Sequence, residues 1–225
     1  MPAAAFAALI VFVVSAVAQA QGINPGPPGP FVIDLRGATS SVPSLGQFYP
    51  VVDNDPDEDE ELTVPARGYG FEVGAHVYAF RLGPARVGFG VSYTRARATA
   101  VSGLVEGDSS NGDEDADDVP ETLATVDVIA TGQTLAPQVS FNFGTSDGWS
   151  YVSAGYGRAS VRTQVGRDLE RDTTGLTAIN VGGGARWFFT GHLGIGFDLR
   201  WHKIGSSDRT PGTSMFAVVV GLSVK

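Results

Sequence analysis

Charged residues at even spacing carry whatever chemistry this sequence can do. Asp198-x-Arg200-x-His202 sets acid, base and imidazole two residues apart, and Asp34-x-Arg36 repeats the acid–base step. Glu72 and His76 stand four apart, and Arg186 lies further along the chain. In an extended chain, residues two or four apart share a face. Each group would therefore project from one side of its strand. Such a wall can move a proton or an ion, or its charges can neutralise one another in a closed core. A nucleophile would need a base within reach. His202 is followed by Ser206, Ser207 and Asp208, so a Ser–His pairing is imaginable there.

A second chemistry belongs to two acidic runs, "DNDPDEDEE" (53–61) and "EGDSSNGDEDADDVPE" (106–121). They hold fifteen of the 24 acidic residues and no Lys or Arg. Asp53, Asp55 and Asp57, like Asp113, Asp115 and Asp117, resemble the start of a calcium loop. Both sets lack the glycine at the sixth position, having Glu58 and Asp118, and both lack the closing glutamate. The expectation is solvated loops with, at most, weak Ca²⁺ or Mg²⁺ binding and no other cofactor. The chain has no cysteine, which excludes disulfides, thiolate metal sites and a thiol nucleophile. No basic patch interleaved with aromatics is present, so nucleic acid is not an expected partner.

The elements that position these residues alternate at period two. "FVIDLRGA" puts Phe31, Ile33 and Leu35 on one face, with Asp34 and Arg36 on the other. "YGFEVGAHVYAF", "RVGFGVSYTRA", "TLAPQVSFNFG", "YVSAGYGRA", "INVGGGARWFF", "LGIGFDLRWHKI" and "MFAVVVGLSV" repeat the pattern. One face is apolar or aromatic throughout. The other carries the charges, glycines, Gln138 and Asn142. That makes eight strands. Connections at 39–66, 100–133, 166–174 and 206–212 are long, whereas those at 81–85, 145–148 and 190–192 are short. In an up-and-down meander the long ones gather at one end. Residues 1–20 read as a cleaved signal peptide, an apolar run closed by Ala18-Gln19-Ala20. Residues 21–30 are a Pro/Gly-rich lead-in, and 31–225 are the strand domain, with acidic loops 39–66 and 100–133.

Long loops at one end, tight turns at the other and an even strand count resemble small outer-membrane β-barrels. The match is to the family represented by outer membrane proteins A and X. "YVSAGYGRA" (151–159), "GGGARWFFTGHLGIGFDLRWHKI" (182–204) and "VGLSV" (220–224) carry it. The resemblance implies an all-β, eight-stranded antiparallel up-and-down transmembrane barrel in the bacterial outer membrane. It also implies lipid and lipopolysaccharide contact outside, and engagement of the barrel assembly machinery. Members of that family commonly end on an aromatic residue, where this sequence has Val224-Lys225. A soluble barrel would have to expose the glycine-rich, charge-poor face. As a lumen, that face makes sense, because eight strands leave room only for side chains.

The sequence thus leads to a non-enzymatic barrel with a structural or surface-interaction role and an unidentified external partner. Its lumen is expected to be filled by a polar network of Asp34, Arg36, Glu72, His76, Arg186, Asp198, Arg200 and His202. The alternatives are a narrow porin-like channel for small solutes and a lipid A-modifying barrel enzyme, for which no deacylase or palmitoyltransferase motif is present.

Overall fold

A strand with one apolar face must bury or cover that face, and its backbone groups need a neighbour on each side. Closing the sheet on itself meets the second demand for every strand. In the computed structural model, described at residues 27–43, 48–50, 62–105, 123–207 and 210–225, the sheet does close. The eight strands are β1 (Phe31–Ser41), β2 (Arg67–Leu82), β3 (Ala85–Val105), β4 (Leu123–Thr145), β5 (Gly148–Val165), β6 (Leu169–Phe188), β7 (Leu193–Ile204) and β8 (Thr213–Val224). Each pairs antiparallel with the next, and β1 pairs with β8 to complete the ring.

Register turns alternation into two surfaces. On β7 and β8, Leu193, Ile195, Phe197, Leu199 and Trp201 face outward beside Val224, Leu222, Val220, Val218 and Phe216. These pairs make one wall of an exposed apolar belt. Ala185 also faces outward by register, yet it is fully buried across from Phe197, whose ring stacks on Trp187. The short turns gather at one end with the start of β1 and the end of β8. The β2–β3 turn is only Gly83-Pro84, and Gly83 there takes a φ of 58°, a conformation costly for residues with a Cβ.

Two connections differ from expectation. β3 and β4 stay paired out to Val105↔Leu123, so 100–105 and 123–133 of the expected loop 100–133 are paired strand; 106–122 lie outside the described residues. β5 and β6 stay paired out to Val165↔Leu169, which shrinks the expected loop 166–174 to Gly166–Asp168. The reason is local. Beyond the belt the outward face no longer has to be apolar, so Thr125, Asp127 and Asp172 keep strand geometry without the greasy signature. Residues 1–26, which include the expected signal peptide and most of the lead-in, lie outside the described residues. So do the two acidic runs.

Candidate functional site

The inward faces of the eight strands build a lumen in three layers. The middle layer holds the charges. β1 aims Asp34 and Arg36 inward, β2 aims Glu72, β6 aims Arg186, and β7 aims Asp198 and Arg200. All six are buried; Arg186 is 1% exposed and Asp198 0%. Three carboxylates thus face three guanidiniums in a space shut off from water. Charges there are tolerable only when each is paired and hydrogen-bonded.

They are connected as one chain of contacts. Arg186 grips Asp34 through two bonds, Nε to Oδ1 at 3.0 Å and Nη2 to Oδ2 at 2.6 Å. This two-pronged geometry is the strong form of the pair. Asp34 Oδ1 also accepts from Arg36 Nη2 at 2.7 Å and from the Ser223 hydroxyl at 2.6 Å. Arg36 Nη1 donates to the Tyr151 hydroxyl at 2.9 Å and reaches Glu72 Oε1 at 3.4 Å. Tyr151 passes the chain on, donating to Asp198 Oδ2 at 2.7 Å. Arg200 closes it, with Nη2 on Asp198 Oδ2 at 2.7 Å and on Ser153 at 3.0 Å, and Nη1 on Asn180 at 2.9 Å. The Arg186 guanidinium also lies 4.0 Å from the centre of the Tyr151 ring, a favourable cation–π distance. Glycine makes the room: a Cβ at Gly196 would sit 3.2 Å from Arg36 Nη2 and 3.1 Å from Ser223 Oγ.

His76 and His202 point into the lumen and are buried, but they stand outside this chain. Neither ring nitrogen of His76, nor Nδ1 of His202, has a hydrogen-bond partner. Ser206 and Ser207 are exposed while His202 is buried, and Asp208 lies outside the described residues. Gln138 joins a neutral branch, donating to Ser92 at 2.5 Å and to Asn180 at 3.2 Å. The candidate cation residues Asp53, Asp55, Asp57, Asp113, Asp115 and Asp117 are likewise outside the described residues.

Below the charges, toward the short turns, Val32, Tyr78, Trp149 and Tyr151 form an apolar floor with Phe188 against it. Trp149 stacks on Phe188 at 4.8 Å and meets Tyr78 edge-on at 5.7 Å. The Lys225 ammonium lies 4.1 Å from the centre of the Phe188 ring and donates to the Ser146 carbonyl. Above the charges the lumen is not polar, contrary to the sequence expectation. Val128, Ala130, Val161, Leu176, Ala178, Ile204 and Met215 line it. Phe48 and Tyr49, from the β1–β2 connection, fill it, each 1% exposed. Thr163 holds the Phe48 carbonyl at 2.5 Å, and the Tyr49 hydroxyl donates to the Pro43 carbonyl at 3.1 Å. Burial pushes the Tyr49 phenol up to about 12.

Sequence reasoning missed four contributors. Tyr151 was readable, since period two from outward Val152 puts it inside beside Ser153. Trp149 follows by the same step. Phe48 and Tyr49 left only a faint signal, two adjacent aromatics within a mostly polar connection.

The fold and its packed lumen define a small eight-stranded β-barrel of the outer-membrane type. No family model matches the chain, and no curated protein matches it. Solved structures do. Neisserial surface protein A aligns at a TM-score of 0.50 and 13% identity, over 88% of this chain and 97% of that one. Ail, the attachment invasion locus protein of Yersinia pestis, aligns at 0.48 and 14%, over 88% and 98%. The outer membrane protease OmpT from Escherichia coli aligns at 0.44 and 9%, over 91% and 99%. At 13% identity the likeness to neisserial surface protein A is one of fold.

Proposed function

We propose that this chain is an integral outer-membrane barrel with a sealed lumen and a structural or surface-interaction role. The observation that carries the reading is the buried ion-paired layer, Asp34–Arg186 and Asp198–Arg200, held between an aromatic floor and the Phe48–Tyr49 seal. A solute or ion crossing the barrel would have to break several charge-assisted bonds at once. The outward belt of Leu, Val, Phe and Trp is the face that lipid contact requires. Barrels of this type place short turns in the periplasm and longer loops outside. By that rule the acidic connections lie outside the cell, where an adhesive or bridging role would be exercised. The assembly machinery of the outer membrane and lipopolysaccharide are its proposed partners in reaching and occupying that site.

Planar-bilayer recording with purified protein tests the seal. No steady conductance steps are expected; reproducible steps would show an open path and favour a channel. Heat-modifiable migration on a gel, after refolding into phosphatidylcholine vesicles, tests the membrane barrel itself. A carbonate-extractable product with no folded band would overturn it.

A further inference from the structure

We propose that the outward face of β2 and β3, at the long-loop edge of the apolar belt, holds the phosphate of a lipid headgroup. The proposal rests on reading the belt as lipid-facing. Its residues are Arg67 on β2, Arg95 and Arg97 on β3, and Gln133 on β4. Register brings them together. Arg97 lies directly across from Tyr69, and Arg95 across from Phe71 and, on its other side, from Gln133. Arg67 shares Tyr69's face two residues earlier, which makes it the diagonal neighbour of Arg97. Such neighbours lie roughly 7–8 Å apart, within reach of one another's long side chains.

Three like charges crowded on one face repel, and nothing among the described residues neutralises them. None of the three takes part in an ion pair there. The outward positions across from them are Ser41 on β1, opposite Arg67, and Thr131 and Gln133 on β4, opposite Arg97 and Arg95. The nearest outward carboxylate on these strands, Asp127, is opposite Val101, four residues beyond Arg97. Gln133 adds to the imbalance. Its Oε1 already accepts the Tyr93 hydroxyl at 3.1 Å, so its amide nitrogen is left as a donor. Among the described residues the side chains of the group offer donors only. On the other side of the barrel the arginines are satisfied internally: Arg162 meets Glu170 at 3.2 Å and Asp172 at 2.7 Å, and Arg158 donates to the Gly175 carbonyl at 2.9 Å.

An all-donor cluster of guanidiniums suits a phosphate, whose oxygens accept paired N–H bonds. What lies beside it selects the source. Phe71 and Tyr93 touch at 5.9 Å between ring centres, and Tyr69 is 71% exposed. These rings continue the apolar belt directly from the arginines. A free phosphate would use the donors and leave the rings bare, whereas a phosphorylated lipid uses both.

The test is native mass spectrometry of the full chain extracted from phosphatidylcholine vesicles doped with phosphatidic acid. Wild type should retain phosphatidic acid in preference to phosphatidylcholine. R95Q/R97Q should lose that preference by about tenfold, the loss expected for a charge-assisted bond. R158Q/R162Q should keep it. Should R95Q/R97Q fail to fold, R97K, which keeps charge but not the two-pronged geometry, should lower the preference several-fold. Equal retention by every variant that folds overturns the proposal, as does displacement of the lipid by excess inorganic phosphate, which would mark a plain phosphate site. A wild-type chain that gives no heat-modifiable band in phosphatidylcholine overturns the membrane reading instead; a folded band with no lipid preference overturns only this site.

Discussion

The middle and the outer third of the lumen share one wall, and both are shut off from water. Arg186 is 1% exposed and Ile204 0%. Their chemistry is opposite. The middle is closed by six ionisable side chains from four strands, each placed by the partner it must meet. The outer third is closed by aliphatic side chains and by Phe48 and Tyr49, which are contributed by a connection. Burying an unpaired charge costs far more than burying an imperfectly packed methyl group. The middle therefore tolerates almost no single change, whereas the outer third tolerates any change that keeps volume.

The comparison is broken most sharply at Asp34. Its two oxygens receive Arg36, Arg186 and Ser223. Asp34→Ala takes from buried Arg186 the carboxylate it grips and leaves buried Arg36 only Tyr151 and Glu72, and it should cost about 3–5 kcal/mol. The urea midpoint of folding into detergent or vesicles measures this. A loss under about 1 kcal/mol would mean that the pair behaves like one at a wet surface. Next comes the outer seal. Phe48→Ala with Tyr49→Ala removes two buried rings; since a connection can re-collapse, the cost should be about 3 kcal/mol or less. The variant should still pass no current, because the ion-paired layer beneath is intact. Conductance steps from this variant alone would show that the aromatic seal, and not the charges, keeps the barrel closed. Tyr151→Phe is subtler. It keeps the ring under Arg186 and removes the hydroxyl that accepts from Arg36 and donates to Asp198. The expected loss is about 1–3 kcal/mol, with no change in conductance.

The same division explains what the sequence made legible. Where outward residues must be apolar and inward ones polar, period two reveals each side chain's face, and all six charges of the middle layer could be assigned to the lumen. Past the belt that contrast fades. In the expected loop 100–133, inward Ser102 on β3 and Ala130 on β4 are small, and outward Thr125 and Asp127 on β4 are polar, so paired strands read as loop. The partners within the lumen were hidden for another reason. That Arg186 chooses Asp34, and Arg200 chooses Asp198, depends on strand tilt and register around the ring, which no single strand's pattern contains. Phe48 and Tyr49 obey no periodicity at all, because their burial comes from a connection folding inward.

The smallest effect is expected at Arg162, and it tests whether pairing alone or pairing with burial gives the middle layer its weight. Arg162 bridges Glu170 and Asp172 at distances as short as those in the lumen, 3.2 and 2.7 Å. Its side chain, however, is 58% exposed, and its partners are open too. Water solvates all three groups when the pair is broken, and salt screens them when it is made. Arg162→Gln should therefore leave the urea midpoint where it was, at low and at high ionic strength. Arg186→Gln, which breaks a pair of the same length under full burial, should shift the midpoint by an amount that salt does not change. If the two substitutions cost the same, distance rather than burial would govern these pairs, and the contrast between a demanding interior and a forgiving rim would fail.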